Sequence, residues 1–347
     1  MNKVMLTLAA AALAIVLAVP GMAGAVGNTS DVKGGVMTIT VTPKAAKGAK
    51  DVKLWLPYPY SSVNQTISDV NVEGNYDISG VYHDEKSEAN YLYAEWSDVT
   101  EAPKLVLSFH VDSKFEKTAD LVDTDAPIPA PIAAKYLASS PVVPVEFFKE
   151  KAAKIVQGKR TILAKARAVY DWTVDNTFRD PAVQGCGLAE PERTLSDCKG
   201  GGKCADISAV FVTILRAAGV PARDVYGLRL GDPKTGDVTS AYHCWAEFYL
   251  PGTGWVRADP ADVRKMMLVH KLEDGSAQAE AWREYFWGGD DLFRVVLNKN
   301  ARNVTFNPAQ QGDPVNYFMY PYAEVNGKPL DYFNPKTFSY SVGFEAD

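Results

Sequence analysis

The sequence predicts an α+β protein of two domains: a β-sandwich-like N-terminal domain, then a domain in which helices precede an antiparallel sheet. Three observations predict it. Residues 34–117 alternate apolar with polar side chains in short runs divided by Gly, Asn, Asp and Pro, the period-two pattern of half-buried strands. A tract at 119–144 then carries five prolines. From Val145 apolar residues recur at three- and four-residue steps before alternation returns, so helices come first and strands follow.

Residues 1–25 read as an export signal. Lys3 is a minimal charged region, 4–18 are apolar, Pro20 and Gly21 break the run, and Ala23-Gly24-Ala25 fits a cleavage site. The apolar run is short for a membrane span and no stop-transfer pattern follows. A mature chain starting near Val26, periplasmic or secreted and without stable membrane insertion, is expected. The roughly 320 remaining residues exceed one typical core.

Residues 26–118 form the N-terminal β domain. GGVMTITVTPK, DVKLWLPYP, QTISDVNVEG, ANYLYAEWSD and KLVLSFHVDSKF read as its strands, with Trp55, Trp96 and Phe109 in its core. The proline-dense 119–144 reads as an extended connector. Residues 145–347 form the second domain. VEFFKEKAAKIVQ and TILAKARAVYDWTVDNTF are its first helices, and a loop over 179–203 leads to a helix from Cys204 to Ala218. Gly219 supplies the left-handed stop and Pro221 follows. DVYGLRL, AYHCWAEFYL and GWVRADP read as strands, as do the aromatic-rich segments beyond Tyr285.

Net charge is −6 with no long basic run, which argues against a nucleic-acid partner. The four cysteines, Cys186, Cys198, Cys204 and Cys244, include no C-x-x-C spacing, so neither zinc nor another metal is expected. The DDL at 290–292 is no calcium loop, and no cofactor is called for. In an exported chain an even cysteine count invites disulfides. Cys186 and Cys198 bracket a Gly/Pro/Asp-rich loop and are the first choice for a bridge.

Cys204 follows three glycines at a helix start, where the dipole favours a thiolate. Taken alone it reads first as a disulfide half or a buried structural thiol, and only its context turns it into a nucleophile. A nucleophile needs a base, and the base an orienting group. His243 lies on AYHCWAEFYL, which PGTG joins to GWVRADP as a hairpin. His243, Trp245 and Glu247 share one face and Cys244, Ala246 and Phe248 the other. If the turn centres on Gly252, Asp259 falls opposite Trp245 and is a diagonal neighbour of His243, roughly 7–8 Å away. A one-residue shift would put Asp259 on the wrong face.

The stretches GGKCADISAVFVTILRAAGVPARDVYGLRL and HCWAEFYLPGTGWVRADPADV resemble the core of the transglutaminase-like superfamily, papain-fold proteins with a Cys-His-Asp triad in that order. The resemblance covers about residues 145–265. It implies Cys204 as nucleophile, His243 as general base and acid, and Asp259 as orienting carboxylate. By analogy with animal transglutaminases, Trp172 is a candidate second oxyanion donor. Gly202, Tyr242 and Trp245 are candidate cleft residues, Asp206 a cap, and Arg223–Glu247 a structural pair. Strand alternation turns Cys244 away from the site as a small core residue; a Cys244–Cys204 bond would close the triad. The implied activity is hydrolysis of a peptide or protein amide, with a cell-envelope substrate in view, through a thioester. Transglutaminase-type transfer and a silent binding module are the alternatives.

Overall fold

The computed structural model describes residues 32–115, 117–118, 121–231, 235–289 and 293–347. The signal segment 1–25 and the DDL at 290–292 lie outside them. The N-terminal domain contributes β1 (Val32–Pro43), β2 (Asp51–Pro57), β3 (Gln65–Gly74), β4 (Ile78–Asp84), β5 (Ala89–Ser97) and β6 (Leu105–Lys114). Every second residue of β6 is buried, as alternation requires. Trp55, Trp96 and Phe109 all lie in the core.

The connector is not extended throughout. Pro129 and Pro131 start a short helix, α1 (Ala130–Tyr136), because proline's fixed φ suits a first helical turn. Tyr136 then packs edge-on against Trp255 and donates to Glu88 at 2.8 Å, tying the connector to both domains. Next come α2 (Val145–Ile155), α3 (Ile162–Asn176), β7 (Phe178–Arg179), α4 (Pro191–Leu195), β8 (Gly201–Gly202) and α5 (Cys204–Ala217). Every residue of α5 from Cys204 to Arg216 is buried, as expected of a helix apolar on most faces. Gly219 has φ +79° and Val220 N–H donates back to Leu215, so the helix ends where the sequence predicts.

The chain continues through β9 (Ala222–Arg229), β10 (Gly236–Asp237), β11 (Tyr242–Leu250), β12 (Gly254–Ala258), α6 (Pro260–His270) and α7 (Ala277–Tyr285). It ends with β13 (Arg294–Lys299), β14 (Arg302–Val304), β15 (Val315–Tyr317), β16 (Tyr322–Val325), β17 (Lys328–Pro329) and β18 (Phe338–Ala346). The sheet behind α5 runs β12-β11-β9-β13. Ala246 opposes Ala258 and Leu250 opposes Gly254, so the hairpin centres on Gly252.

The C-terminal strands correct the division at residue 145. The two five-stranded sheets of the sandwich run β10-β18-β1-β6-β3 and β17-β16-β2-β5-β4. Thus β18 lines up along β1 from Gly35↔Ala346 to Pro43↔Phe338, and β16 along β2. The helical domain is therefore inserted between the first and last strands of the sandwich. Alternation marks a segment as a strand but does not say which distant edge it completes. The sandwich also grips β13: the buried Gln65 side chain bonds both the N–H and the C=O of Val296, and Ser113 Oγ donates to Arg294 O.

Candidate active site

The site assembles at the mouth of α5. Asp206, in its first turn, accepts from Lys203 N–H at 3.0 Å and from Leu188 and Ala189 N–H at 2.9 and 3.0 Å. It is a cap, as expected, and also a bolt: it fastens loop 185–189 to the helix start. Glycine is required there. A Cβ on Gly187, whose φ is +99°, would fall 1.8 Å from Asp206 Oδ2, and one on Gly202 would fall 2.5 Å from Asp206 Cβ. Cys186 O accepts from Ala205 N–H at 2.9 Å, which sets the Cys186 side chain beside Cys204.

All four cysteines are free, so the Cys186–Cys198 bridge is not formed. The Asp206 bolt holds Cys186 at the helix mouth, and the turn of α4 intervenes before Cys198. Cys244 also departs from expectation. Its sulfur, with those of Cys186 and Cys204, forms a group in which all three lie within 4.8 Å of one another. Alternation fixes which side chains share a face of β11; it does not say that α5 covers the Cys244 face. Cys204, Ala205, Ile207 and Cys244 sit in one buried cluster.

His243 is 4 % and Asp259 1 % exposed. Imidazole Nε2 lies 2.7 Å from Asp259 Oδ2, which leaves Nδ1 for Cys204. Asp259 is the N-cap of α6, its Oδ1 accepting from Asp262 N–H at 2.9 Å. Pro260 follows at the helix start. Behind this pair lie groups that the sequence reading missed. Asp262 Oδ2 is 3.6 Å from His243 Nε2, Arg294 bridges Asp259 and Asp262 at 2.7 and 3.0 Å, and Arg229 meets Asp262 at 2.8 Å. Asp262 had a local signal, an acid three residues past an N-cap. Arg294, on β13, had none.

These charges set the protonation states. Hydrogen bonding by Cys186, then by Cys244, and contact with the His243 imidazolium hold Cys204 well below the usual thiol range despite burial. Burial would depress His243, but the Asp262 and Asp259 carboxylates outweigh it and push the imidazole up to about 9. The resting pair is therefore thiolate and imidazolium, between the low pKa of the thiol and the high one of the ring. Alkylation of Cys204 by iodoacetamide should accordingly stay nearly flat through the neutral range and change only near pH 9, as His243 loses its proton. A single titration at the ordinary thiol value, 9.0, with rates falling about tenfold per pH unit below it, would contradict this pairing.

Cys204, His243 and Tyr242 share a pocket of about 330 Å³ with Arg179, Arg229 and Lys265. Arg179 Nη1 is buried with no hydrogen-bond partner among the described residues. The other candidates fall elsewhere. Trp245 is fully buried and stacks on His243 at 5.9 Å, supporting the ring from behind. Gly202 gives Asp206 room and does not line the pocket. Trp172 lies under Lys151 Nζ at 5.2 Å, in a separate depression with Leu195 and Lys199, so it is a partly buried packing residue and not an oxyanion donor. Arg223 and Glu247 do pair, at 2.7 Å.

A family model described as the transglutaminase-like superfamily matches residues 149–260, a span that includes Cys204, His243 and Asp259. An uncharacterized protein of Haemophilus influenzae is 35% identical over 327 residues, covering 86% of this chain and 87% of that protein. A protein-glutamine gamma-glutamyltransferase of Pseudomonas aeruginosa is 31% identical over 110 residues, which is 30% of this chain and 15% of that one. Among solved structures, a candidate cysteine protease from Cytophaga hutchinsonii shares the fold, with TM-score 0.53 and 14% identity over 91% of this chain and 99% of the other. No helix among the described residues is long and apolar enough to cross a membrane.

Proposed function

The chain belongs to the transglutaminase-like superfamily, and from that premise we propose that it is an exported cysteine-dependent hydrolase of peptide or protein amides. The observation that carries the proposal is the His243 ring, bonded to Asp259 on one side and meeting a lowered-pKa Cys204 on the other. The leader at 1–25 supports export.

In the proposed cycle the Cys204 thiolate adds to the amide carbonyl carbon. The C–S bond forms and the carbonyl electron pair moves to oxygen. The Cys204 backbone N–H, at the positive end of α5, faces that oxyanion, and Arg179 is the charged donor on the pocket wall. His243 then protonates the leaving nitrogen as the C–N bond breaks, leaving a thioester. Water, losing a proton to His243, attacks the thioester, and the acid leaves as the thiolate returns. Asp259 keeps Nε2–H fixed throughout, so that Nδ1 alone exchanges protons.

Water is the acceptor in this reading; a primary amine in its place would give transfer. Ammonia release from glutamine peptides reports the shared acylation step, and the peptide product identified with and without added amine separates the two. The expected result is a glutamate residue in the peptide in both cases, and Cys204→Ala should abolish product and alkylation together. Amine incorporation would replace hydrolysis by transfer. Ammonia release that survives Cys204→Ala, or a Cys204 that resists alkylation in the reduced, chelator-treated protein, would remove the enzyme reading.

A further inference from the structure

Three sulfur atoms from three separate segments meet at the mouth of α5. Cys186 comes from the bolted loop, Cys204 from the first helical turn and Cys244 from β11, all within 4.8 Å of one another and 4 %, 2 % and 0 % exposed. A fourth sulfur, the Met319 thioether, lies 3.6 Å from Cys244 Sγ. We propose that Cys186, Cys204 and Cys244 form a soft-metal site that takes Cu(I).

The donor set selects the ion. Thiolates with a thioether favour Cu(I), whereas zinc prefers four ligands drawn from thiolate, imidazole and carboxylate. The geometry favours an ion over a disulfide. Metal–sulfur bonds of about 2.3 Å put three trigonal sulfurs about 4.0 Å apart, within the observed spread. A disulfide needs a sulfur–sulfur bond of about 2.05 Å, would draw two rigid segments together and would leave the third thiol unused. The segments are fixed without an ion: the Asp206 cap holds the loop to the helix, and β11 is paired on both sides. Little ordering remains to be done on binding, the condition for a tight site.

Cys204 opens onto the pocket, which gives the ion a route in. Binding would displace the proton of each thiol that still carries one, because the thiolate is the ligand. No electron moves, since copper enters and leaves as Cu(I). An ion held by Cys204 occupies the proposed nucleophile, so loading would silence the protein and chelation would release it. The site itself depends only on sulfur positions, and its test is read without substrate, separately from the hydrolase proposal.

The test is an anaerobic titration of the reduced protein with Cu(I) against bathocuproine disulfonate. One Cu(I) per chain is expected, with Cys204 protected from iodoacetamide until excess chelator is added. Cys186→Ser and Cys244→Ser should each weaken retention roughly tenfold or more, and Cys198→Ser should leave it unchanged. X-ray absorption on the unaltered protein needs no variant and should find sulfur neighbours at about 2.3 Å. No uptake against the chelator, retention by the Cys186→Ser and Cys244→Ser variants equal to that of the parent protein, nitrogen or oxygen neighbours, or displacement of Cu(I) by Zn(II) would each overturn the proposal.

Discussion

Replacing Arg294 by methionine should cost about 3–5 kcal/mol of folding stability at neutral pH, the usual penalty for removing one partner from a buried ionic network. Arg294 is 2 % exposed. It meets Asp259 at 2.7 Å and Asp262 at 3.0 Å and lies over the Trp245 ring at 5.1 Å. Methionine keeps most of the apolar stem but leaves two buried carboxylates to share His243 and Arg229. The loss should depend on pH with a definite sign. Burial would raise Asp262, but His243, Arg229 and Arg294 together hold it well below its ordinary value of 3.8. A depressed carboxylate contributes stability that is present above the ordinary value and lost as pH falls towards the folded one. Without Arg294 the Asp262 pKa rises, so that contribution shrinks. Urea unfolding of the two proteins should therefore differ by a nearly constant amount from pH 7 down to about pH 4, and by progressively less as pH falls below 3.8. A loss below about 1 kcal/mol, the range of an exposed pair, or one independent of pH, would show that the network is not held as described.

Much of this arrangement was legible in the sequence, and the rest was not for identifiable reasons. The β11–β12 register follows from the PGTG turn and period-two alternation, both local, and it alone brings Asp259 within reach of His243. The start and end of α5 were equally local, set by Asp206, Gly219 and Pro221. What escaped was long-range. Arg294 comes from a strand 35 residues beyond Asp259, held in place by Gln65 and Ser113 of the sandwich. The pairing of β18 with β1 joins opposite ends of the chain. The thiol group escaped because cysteine spacing was read for disulfide and zinc patterns, while its members lie on a loop, a helix and a strand. Trp172 was placed by analogy, and its helix turns it towards Lys151. The sandwich emerges as more than a neighbour: by gripping β13 it supports the arginine that steadies the acidic end of the site.

Replacing Asp259 by asparagine should lower kcat by about three to four orders of magnitude with little change in KM, as expected when an orienting carboxylate is lost. The hydrogen-bond inventory shows why an isosteric amide fails. Asp259 Oδ2 accepts from His243 Nε2 at 2.7 Å and from Arg294 Nη1 at 2.7 Å, and Oδ1 accepts from Asp262 N–H at 2.9 Å. Every partner is a donor. An asparagine must point its NH2 at one of them. Turned towards Asp262, it loses the α6 cap. Turned towards His243, it makes Nε2 an acceptor, moves the proton to Nδ1 and leaves the side facing Cys204 unable to act as a base. The pH dependence should change as well. The two carboxylates raise His243 to about 9, so losing one lowers it, and the thiolate–imidazolium window closes from its alkaline side while its acid side remains. Asp262→Asn gives the decisive comparison, because Asp262 contributes charge to the ring from 3.6 Å but no hydrogen bond at that length. It should shift the alkaline limb similarly and lower kcat far less. Equal losses in kcat would mean that charge alone sustains the ring. A larger loss for Asp262→Asn would transfer the orienting role to that residue, and an Asp259→Asn enzyme within tenfold of the parent would dismiss the triad.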